Sequence, residues 1–471
     1  MIQDDTLRQR CRRIASIAPI IVERCDELVD ACSSDWRVDP VETITGELLP
    51  FCSSLRWLGK HGGKVLRSRS AGWLGRPLWL SGVTSVIERV PHGDVLVLGT
   101  WNYPVLLPGV QIAQALAAGN TVQFKPAAGT ERSAEILVDC FRDVGFDQSK
   151  LRLLGSDVES ATGAIDAGVD LIVLTGSAAT GQNVLARSSS TLAASIMELS
   201  GCDAVLAIPG CNTGRLVKAI RFGLTFNGGA TCIGPRRLLV LKKNRDKVVG
   251  ALTEELKDAS EVVVHPAARG SLADNLASAL RRGANETRCL YDEPKLRTTG
   301  RIAPLVLTDV KPSDPIANAD IFAPVISVIE VDRVEAMIDV VNKCDYRLAA
   351  SVFGPEKRAR SIAERLRVGT VVINDLIAPT ADPRLPFGGR GKSGFGVTRG
   401  REGLLAMTTI RVVSSRRGRM TPHLDRRTPR DRGLLQGLMT FLHGRGLQKR
   451  VAGLKLMQAS VKTKADDVGS S

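Results

Sequence analysis

Apolar positions in the N-terminal stretch recur at helical spacing. Ile14, Ile17, Ile20, Ile21 and Val22 recur near helical spacing, and residues 42–57 continue the pattern, so residues 1 to about 70 are predicted to be largely helical. From Ser81 to Leu98 the pattern becomes strand-like. Val83, Val86 and Val90, then Val95, Val97 and the leucines between them, bracket a turn at Pro91-His92-Gly93-Asp94. After Pro104 a helix is predicted through Gln111 to Ala118, closed by Gly119-Asn120. Strands follow at 121–124, 151–154 and 171–174, with a helix at 131–141. Alternating strand and helix argues for a parallel α/β sheet with crossover helices. The alternation resumes after Glu198, with strands at 204–208, 238–241 and 371–373.

The C-terminal pattern is different. Residues 416–431 are rich in Arg and Pro and read as a linker. Beyond them Leu434, Leu435, Leu438, Met439 and Leu442 share one helical face, and Leu447, Val451 and Leu454 continue the stripe. Flanking Arg and Lys give the profile of an interfacial amphipathic helix. Five glycines between Gly433 and Gly453 weaken that helix, and docking on the protein's own surface or disorder is the competing reading.

Composition narrows the class. A chain of 471 residues exceeds one ordinary core and predicts two or three domains. Net charge is +15, but residues 416–471 hold 13 Lys or Arg against 4 Asp, so the basic character belongs mainly to the tail and nucleic acid is not expected as a partner. Ten cysteines show no CxxC pair and follow a polar N-terminus, so reduced thiols in the cytoplasm are expected. Five scattered histidines offer no metal cluster, and no apolar run is long enough to span a bilayer.

Three short strings carry the candidate chemistry. They are Thr100-Trp101-Asn102-Tyr103-Pro104, Met197-Glu198-Leu199-Ser200-Gly201, and Phe226-Asn227-Gly228-Gly229-Ala230-Thr231-Cys232-Ile233-Gly234. A thiol, a carboxylate and an amide suffice for covalent oxidation of an aldehyde. The thiol attacks the carbonyl, the amide steadies the oxyanion, and the carboxylate activates water. Each residue alone also has a plain structural reading: a buried inert thiol, a strand-edge carboxylate, a turn asparagine.

Taken in order, the strings resemble the aldehyde dehydrogenase superfamily. Further matches are Lys125-Pro126-Ala127, Leu174-Thr175-Gly176-Ser177 with Gly181, Ile321-Phe322-Ala323-Pro324, and Pro386-Phe387-Gly388-Gly389 with Lys392-Ser393-Gly394. The resemblance runs from about Val83 to Val413. It implies an α/β protein with an aldehyde dehydrogenase-like fold: two parallel-sheet α/β domains and a small β arm that pairs subunits. The expected parts are N-terminal helices with the dinucleotide-binding domain at 1–197 (arm strands near 81–98), the catalytic domain at 198–385, a return segment and arm at 386–415, and the basic tail at 416–471.

The resemblance also implies roles. Cys232 is the expected nucleophile, Glu198 the base and Asn102 the oxyanion donor. Thr100, Trp101, Lys125, Gly176, Ser177, Gly181, Asp320 and Phe322 are the expected contacts to NAD or NADP. The family commonly has a carboxylate three positions after the lysine. Here Ala128 stands there, which predicts that NADP is tolerated. Asp320 replaces the usual Glu, and Ala323 the usual Gly. A carboxylate at Glu198 favours an acid product over a coenzyme A thioester. The rivals are an acyl-transferring relative that makes or uses acyl-CoA, and a non-catalytic scaffold recruited through the tail. A hydrophobic aldehyde, long-chain or aromatic, is the expected substrate, a homodimer or higher oligomer the expected assembly, and peripheral membrane contact through the tail a further expectation.

Overall fold

The computed structural model of the chain describes residues 6–417, 421, 423–424 and 426–466. The chain divides into two units, Met1–Arg69 with Ile87–Val412, and Ser70–Val86 with Val413–Ser471. The strands used below are β1 (Val83–Pro91), β2 (Asp94–Leu98), β3 (Thr121–Lys125), β4 (Leu151–Leu153), β5 (Leu171–Gly176), β6 (Ala194–Leu199), β7 (Asp203–Ala207) and β8 (Pro235–Leu241). They continue with β9 (Asn285–Glu286), β10 (Leu305–Thr308), β11 (Val325–Val331), β12 (Ala349–Phe353), β13 (Thr370–Ile373), β14 (Gly394–Phe395) and β15 (Thr408–Arg416).

The larger unit holds two α/β sheets, as the resemblance implied. The first has the order β14-β6-β5-β2-β3-β4. Its members β2 to β6 run parallel. β14 closes the edge antiparallel, with Gly394 opposite Glu198. The second sheet has the order β9-β10-β11-β8-β7-β12-β13, parallel except for β9. Glu198 lies within β6 of the first sheet, so the change of sheet falls after it, between Leu199 and Asp203.

The stretch 81–98 does not act as one arm element. Asp94–Leu98 is a central strand of the first sheet, paired on both sides. Its Val95 and Val97 pack into the core shared with the N-terminal helices, and Leu96 and Leu98 into the core on the opposite face. A strand buried on both faces is a continuous apolar run, and this one was read together with the arm because period-2 alternation fits both. Only β1 pairs in the three-stranded sheet, in the order Arg69–Ser70, β1, β15.

The N-terminal helices form as expected, with Ile14, Ile17 and Ile21 buried, but Val22 faces outward. They cover Leu106–Ala118, a helix buried nearly all round, with Gln111 and Gln114 as its interior polar residues. In the smaller unit Ser85 Oγ and Ser414 Oγ hydrogen-bond at 2.8 Å, tying β1 to β15.

The tail is a helical hairpin of Asp431–His443 and Leu447–Asp466, where the sequence suggested one interrupted stripe. Its glycines are the contact between the helices. A Cβ at Gly437 would stand 2.6 Å from Met457 Cγ and 2.8 Å from the Gly453 carbonyl oxygen. Such close backbone approach is what small residues permit. The apolar side chains point elsewhere: Leu435, Met439, Leu447, Val451 and Leu454 are exposed.

Candidate active site

A cavity of about 850 Å³ in the larger unit is lined by the C-terminal ends of β2, β3, β5 and β6. The loop carrying Cys232, the start of the helix Pro266–Arg281 and the segment Asp320–Phe322 complete its wall. Ligands in α/β sheets bind beyond the carboxyl ends of the strands, and this cavity lies there. Cys232, Glu198 and Asn102 all line it, as do Thr100, Trp101, Lys125, Gly176, Ser177, Asp320 and Phe322. Gly181 is the exception. It sits one turn into the helix Ala178–Ser188 and packs on β6, where an added Cβ would meet Leu199 Cδ1 at 2.8 Å.

Cys232 is half-buried among apolar groups. Burial first, then the carboxylates of Asp203 and Glu198, push its thiol up to about 12, while the Arg399 guanidinium pulls the other way. A thiol left in this environment is protonated at neutral pH, so its reactivity depends on what withdraws the proton. The loop before it takes left-handed backbone at Asn227, Gly228 and Gly229. The Arg236 guanidinium, fully buried, donates to the carbonyl oxygens of Gly229 (2.8 Å), Thr231 (3.0 Å) and Ala323 (3.0 Å) and fixes the loop.

Glu198 is buried, and burial raises its pKa against the opposing influence of Arg399, Thr398, Gln111 and Thr175. Its Oε2 accepts from Gln111 Nε2 at 3.0 Å and from Thr175 Oγ1 at 3.4 Å, and its Oε1 accepts from the Thr398 hydroxyl. Asn102 is buried as well. Its Nδ2 donates to the Ala230 carbonyl at 2.7 Å and its Oδ1 accepts from Thr100 Oγ1 at 2.7 Å. That leaves the second Nδ2 hydrogen for a ligand oxygen.

Several residues that hold this geometry had no signal in the sequence reading. The buried Arg37 donates to Glu47, to the Asn102 carbonyl oxygen and, at 3.0 Å, to Asn227 Oδ1. One guanidinium thus ties the loops of Asn102 and Cys232 together. Glu47 also accepts from the amides of Val105 (2.6 Å) and Leu106 (3.0 Å) at the start of the helix Leu106–Ala118, an end that favours negative charge. At the cavity wall the His265 ring stacks on Trp101 at 4.1 Å and meets Trp36 edge-on at 4.6 Å.

The residues fit a dinucleotide. Asp320 Oδ2 accepts from the Ser200 hydroxyl, but its Oδ1 is buried and has no partner. An orphaned acceptor on the wall suits a ribose hydroxyl. Ser177 caps the helix Ala178–Ser188, accepting from the Thr180 amide at 3.1 Å, and the N-terminus of that helix lies at the cavity wall, an end that favours the charge of a pyrophosphate. Lys125 is half-buried, its pKa lowered by burial against the pull of Asp157 and Glu131. Among the described residues no group of His, Cys, Asp and Glu could hold a metal ion.

The chain is similar to known proteins in sequence and in fold. The family model described as aldehyde dehydrogenase family matches residues 2–413. A curated relative from Methylomonas sp., 4,4'-diapolycopene aldehyde oxidase, is 28% identical over 407 residues, covering 84% of this chain and 76% of its own. An aldehyde dehydrogenase of Mycobacterium tuberculosis, solved with NAD+, superposes with a TM-score of 0.79 at 26% identity, over 87% of this chain and 85% of that one. The NADP-dependent glyceraldehyde-3-phosphate dehydrogenase of Bacillus halodurans C-125, solved with NADP, gives 0.80 at 25% identity, over 88% and 87%.

Proposed function

The chain belongs to the aldehyde dehydrogenase family, and from that premise we propose that it oxidises a long or aromatic apolar aldehyde to its carboxylic acid with NAD or NADP. One observation carries the reading: Cys232, Glu198 and Asn102 line the same cavity, whose wall also offers the unpaired Asp320 acceptor. The Cys232 thiolate adds to the carbonyl carbon, and the oxygen takes the pair of the broken π bond. Asn102 Nδ2 donates to that oxygen. A bound NAD or NADP, held by Lys125, Ser177 and Asp320, would supply the hydride acceptor that conversion of the thiohemiacetal to a thioester requires. Glu198 then takes a proton from water, whose oxygen adds to the thioester carbonyl. The C–S bond breaks, and acid and thiolate are released.

Leu107 and Phe387 on the cavity wall favour an apolar substrate, in keeping with the diapolycopene aldehyde in the name of the Methylomonas relative. Ala128, exposed three positions after Lys125, puts no carboxylate at that position, which supports tolerance of a 2′-phosphate. The test is NAD(P)H formation by purified protein with short, aromatic and long-chain aldehydes and each cofactor. Activity with apolar aldehydes and both cofactors is expected, lost in Cys232→Ala. Turnover that needs coenzyme A, or none with any aldehyde, rejects the reading, and a strong preference for NAD rejects the inference from Ala128.

The chain is further proposed to be a homodimer or higher oligomer, and its tail to touch an anionic lipid surface. The hairpin joins its helices through glycine backbone and leaves Leu435, Leu447 and Leu454 exposed in a segment that also carries Arg432, Arg445, Lys449, Arg450 and Lys455. No helix among the described residues is long and apolar enough to cross a membrane. Co-sedimentation with vesicles of phosphatidylglycerol should fall when residues 417–471 are deleted, and equal partitioning of both forms ends the lipid proposal.

A further inference from the structure

Arg399 is a cation buried beside the candidate base, with no salt bridge among the described residues. Its residue is 7% exposed. Nη1 donates to the Thr380 carbonyl oxygen at 2.8 Å, and Nε is buried with no hydrogen-bond partner among the described residues. Its backbone is strained. At φ 61° and ψ 167° it occupies a region that essentially only glycine adopts. A large charged side chain in that conformation is unfavourable unless its surroundings force it, and such strain gathers at functional sites.

What forces it is the scaffold that holds Glu198. Gln114 accepts from the Arg399 amide at 3.2 Å and donates to the Gly400 carbonyl oxygen at 3.2 Å. Gln111, one turn earlier on the same helix, donates to Glu198 at 3.0 Å. Thr398, the residue next to Arg399, donates to the other Glu198 oxygen. The Arg399 guanidinium carbon lies 4.4 Å from the centre of the Phe387 ring, and Phe387 lines the cavity together with Cys232 and Glu198. Base, cation and ring are thus held by one helix and one turn.

We propose that Arg399 is a positioning residue for the oxidation, a fixed cation behind Phe387 that favours the anionic forms of Glu198 and Cys232 without touching the substrate. The proposal rests on the roles given to those two residues above. Its charge opposes burial at both of them. The other charged groups that act on Cys232 are Asp203, whose carboxyl burial pushes up to about 8, and Arg236, which is committed to three carbonyl oxygens. Neither is held by the Gln111–Gln114 scaffold. A purely structural arginine would serve only to bond Thr380 and cover Phe387.

The discriminating measurement is the rate of Cys232 alkylation by iodoacetamide against pH, with the adduct located by peptide mass spectrometry. It uses the full chain and needs neither aldehyde nor cofactor. In Arg399→Gln the curve should move about one pH unit higher and the rate at pH 8 should fall about tenfold, since one unit is a tenfold change in thiolate. Arg399→Lys keeps the charge and loses the planar fork, so its curve should stay within about twofold of wild type. An unmoved curve in Arg399→Gln overturns the proposal, as does an equal displacement in both variants. If Arg399→Gln does not fold, Arg399→Lys decides, because a curve displaced by about one unit in that variant removes charge as the cause. Aldehyde oxidation by wild-type protein is assayed separately. Its absence overturns the proposed reaction, whereas an unmoved alkylation curve overturns the role of Arg399.

Discussion

Asp203 shows at the residue scale how burial couples charge to stability. Its Oδ1 accepts from the Ala349 amide at 2.9 Å, but Oδ2 is buried without a partner. Burial pushes the carboxyl up to about 8, against the pull of Arg237 and Arg236. The unfolded chain loses that proton near pH ~4. The folded state therefore binds the proton more tightly. The stability it contributes is complete below pH ~4 and is lost as pH rises toward 8, at no more than about 1.4 kcal/mol per pH unit. Asp203→Asn should flatten the fall in urea midpoint between pH 5 and pH 8, and an unchanged slope in that variant contradicts the assignment. Glu198 is shifted in the same direction. Its function as a base requires the charged form, so the acid limb of kcat should lie above the ordinary carboxylate pKa of about 4.3. Glu198→Gln should retain a burst of NAD(P)H while steady turnover falls by roughly 10²–10⁴. Loss of burst and turnover together would place Glu198 in the acylation step.

At the scale of elements, the strings of reactive residues were legible because their chemistry is local. A nucleophile loop rich in glycine and a carboxylate at a strand end each occupy a few consecutive positions, and both fell on one cavity. The supports were not legible. Arg37 and Asn102 are 65 positions apart, and Thr398 and Glu198 are 200 apart. Periodicity carries no information across such distances, and an isolated Arg or Glu reads as a surface charge. The stretch 94–98 failed differently: its apolar run is compatible with an arm or a central strand, and only its partners decide. The tail glycines were read as helix breakers because propensity is a single-helix property, whereas their role is contact between two helices. The Arg37–Glu47 pair gives this scale its prediction. Both side chains are almost wholly buried, and Glu47 lies in the π-helical turn Ile44–Leu48. Glu47→Ala strands a buried guanidinium and withdraws the acceptor from two helix-end amides, so it should cost about 3–5 kcal/mol in urea unfolding. A loss below about 1 kcal/mol would class the pair with solvent-exposed ion pairs.

At the scale of the whole molecule, the arm leaves a surface that one chain does not cover. β15 is an edge strand, since the order of its sheet ends with it. Ile410, Val412 and Val413 on it are all exposed. An edge strand with apolar side chains is a template for pairing, and proteins that leave one bare normally use it. The cavity wall carries Cys232, Glu198 and Asn102 of one chain, so each chain holds its own reactive set. Assembly and chemistry should therefore separate. Light scattering after size exclusion should give at least twice the 50.5 kDa chain mass for the wild type. Val412→Lys places a charge on the edge and should shift the protein toward monomer while aldehyde oxidation per chain changes by less than about threefold. A monomeric wild type would remove the arm as an assembly element. A variant that becomes monomeric and inactive together would show that the site depends on the partner.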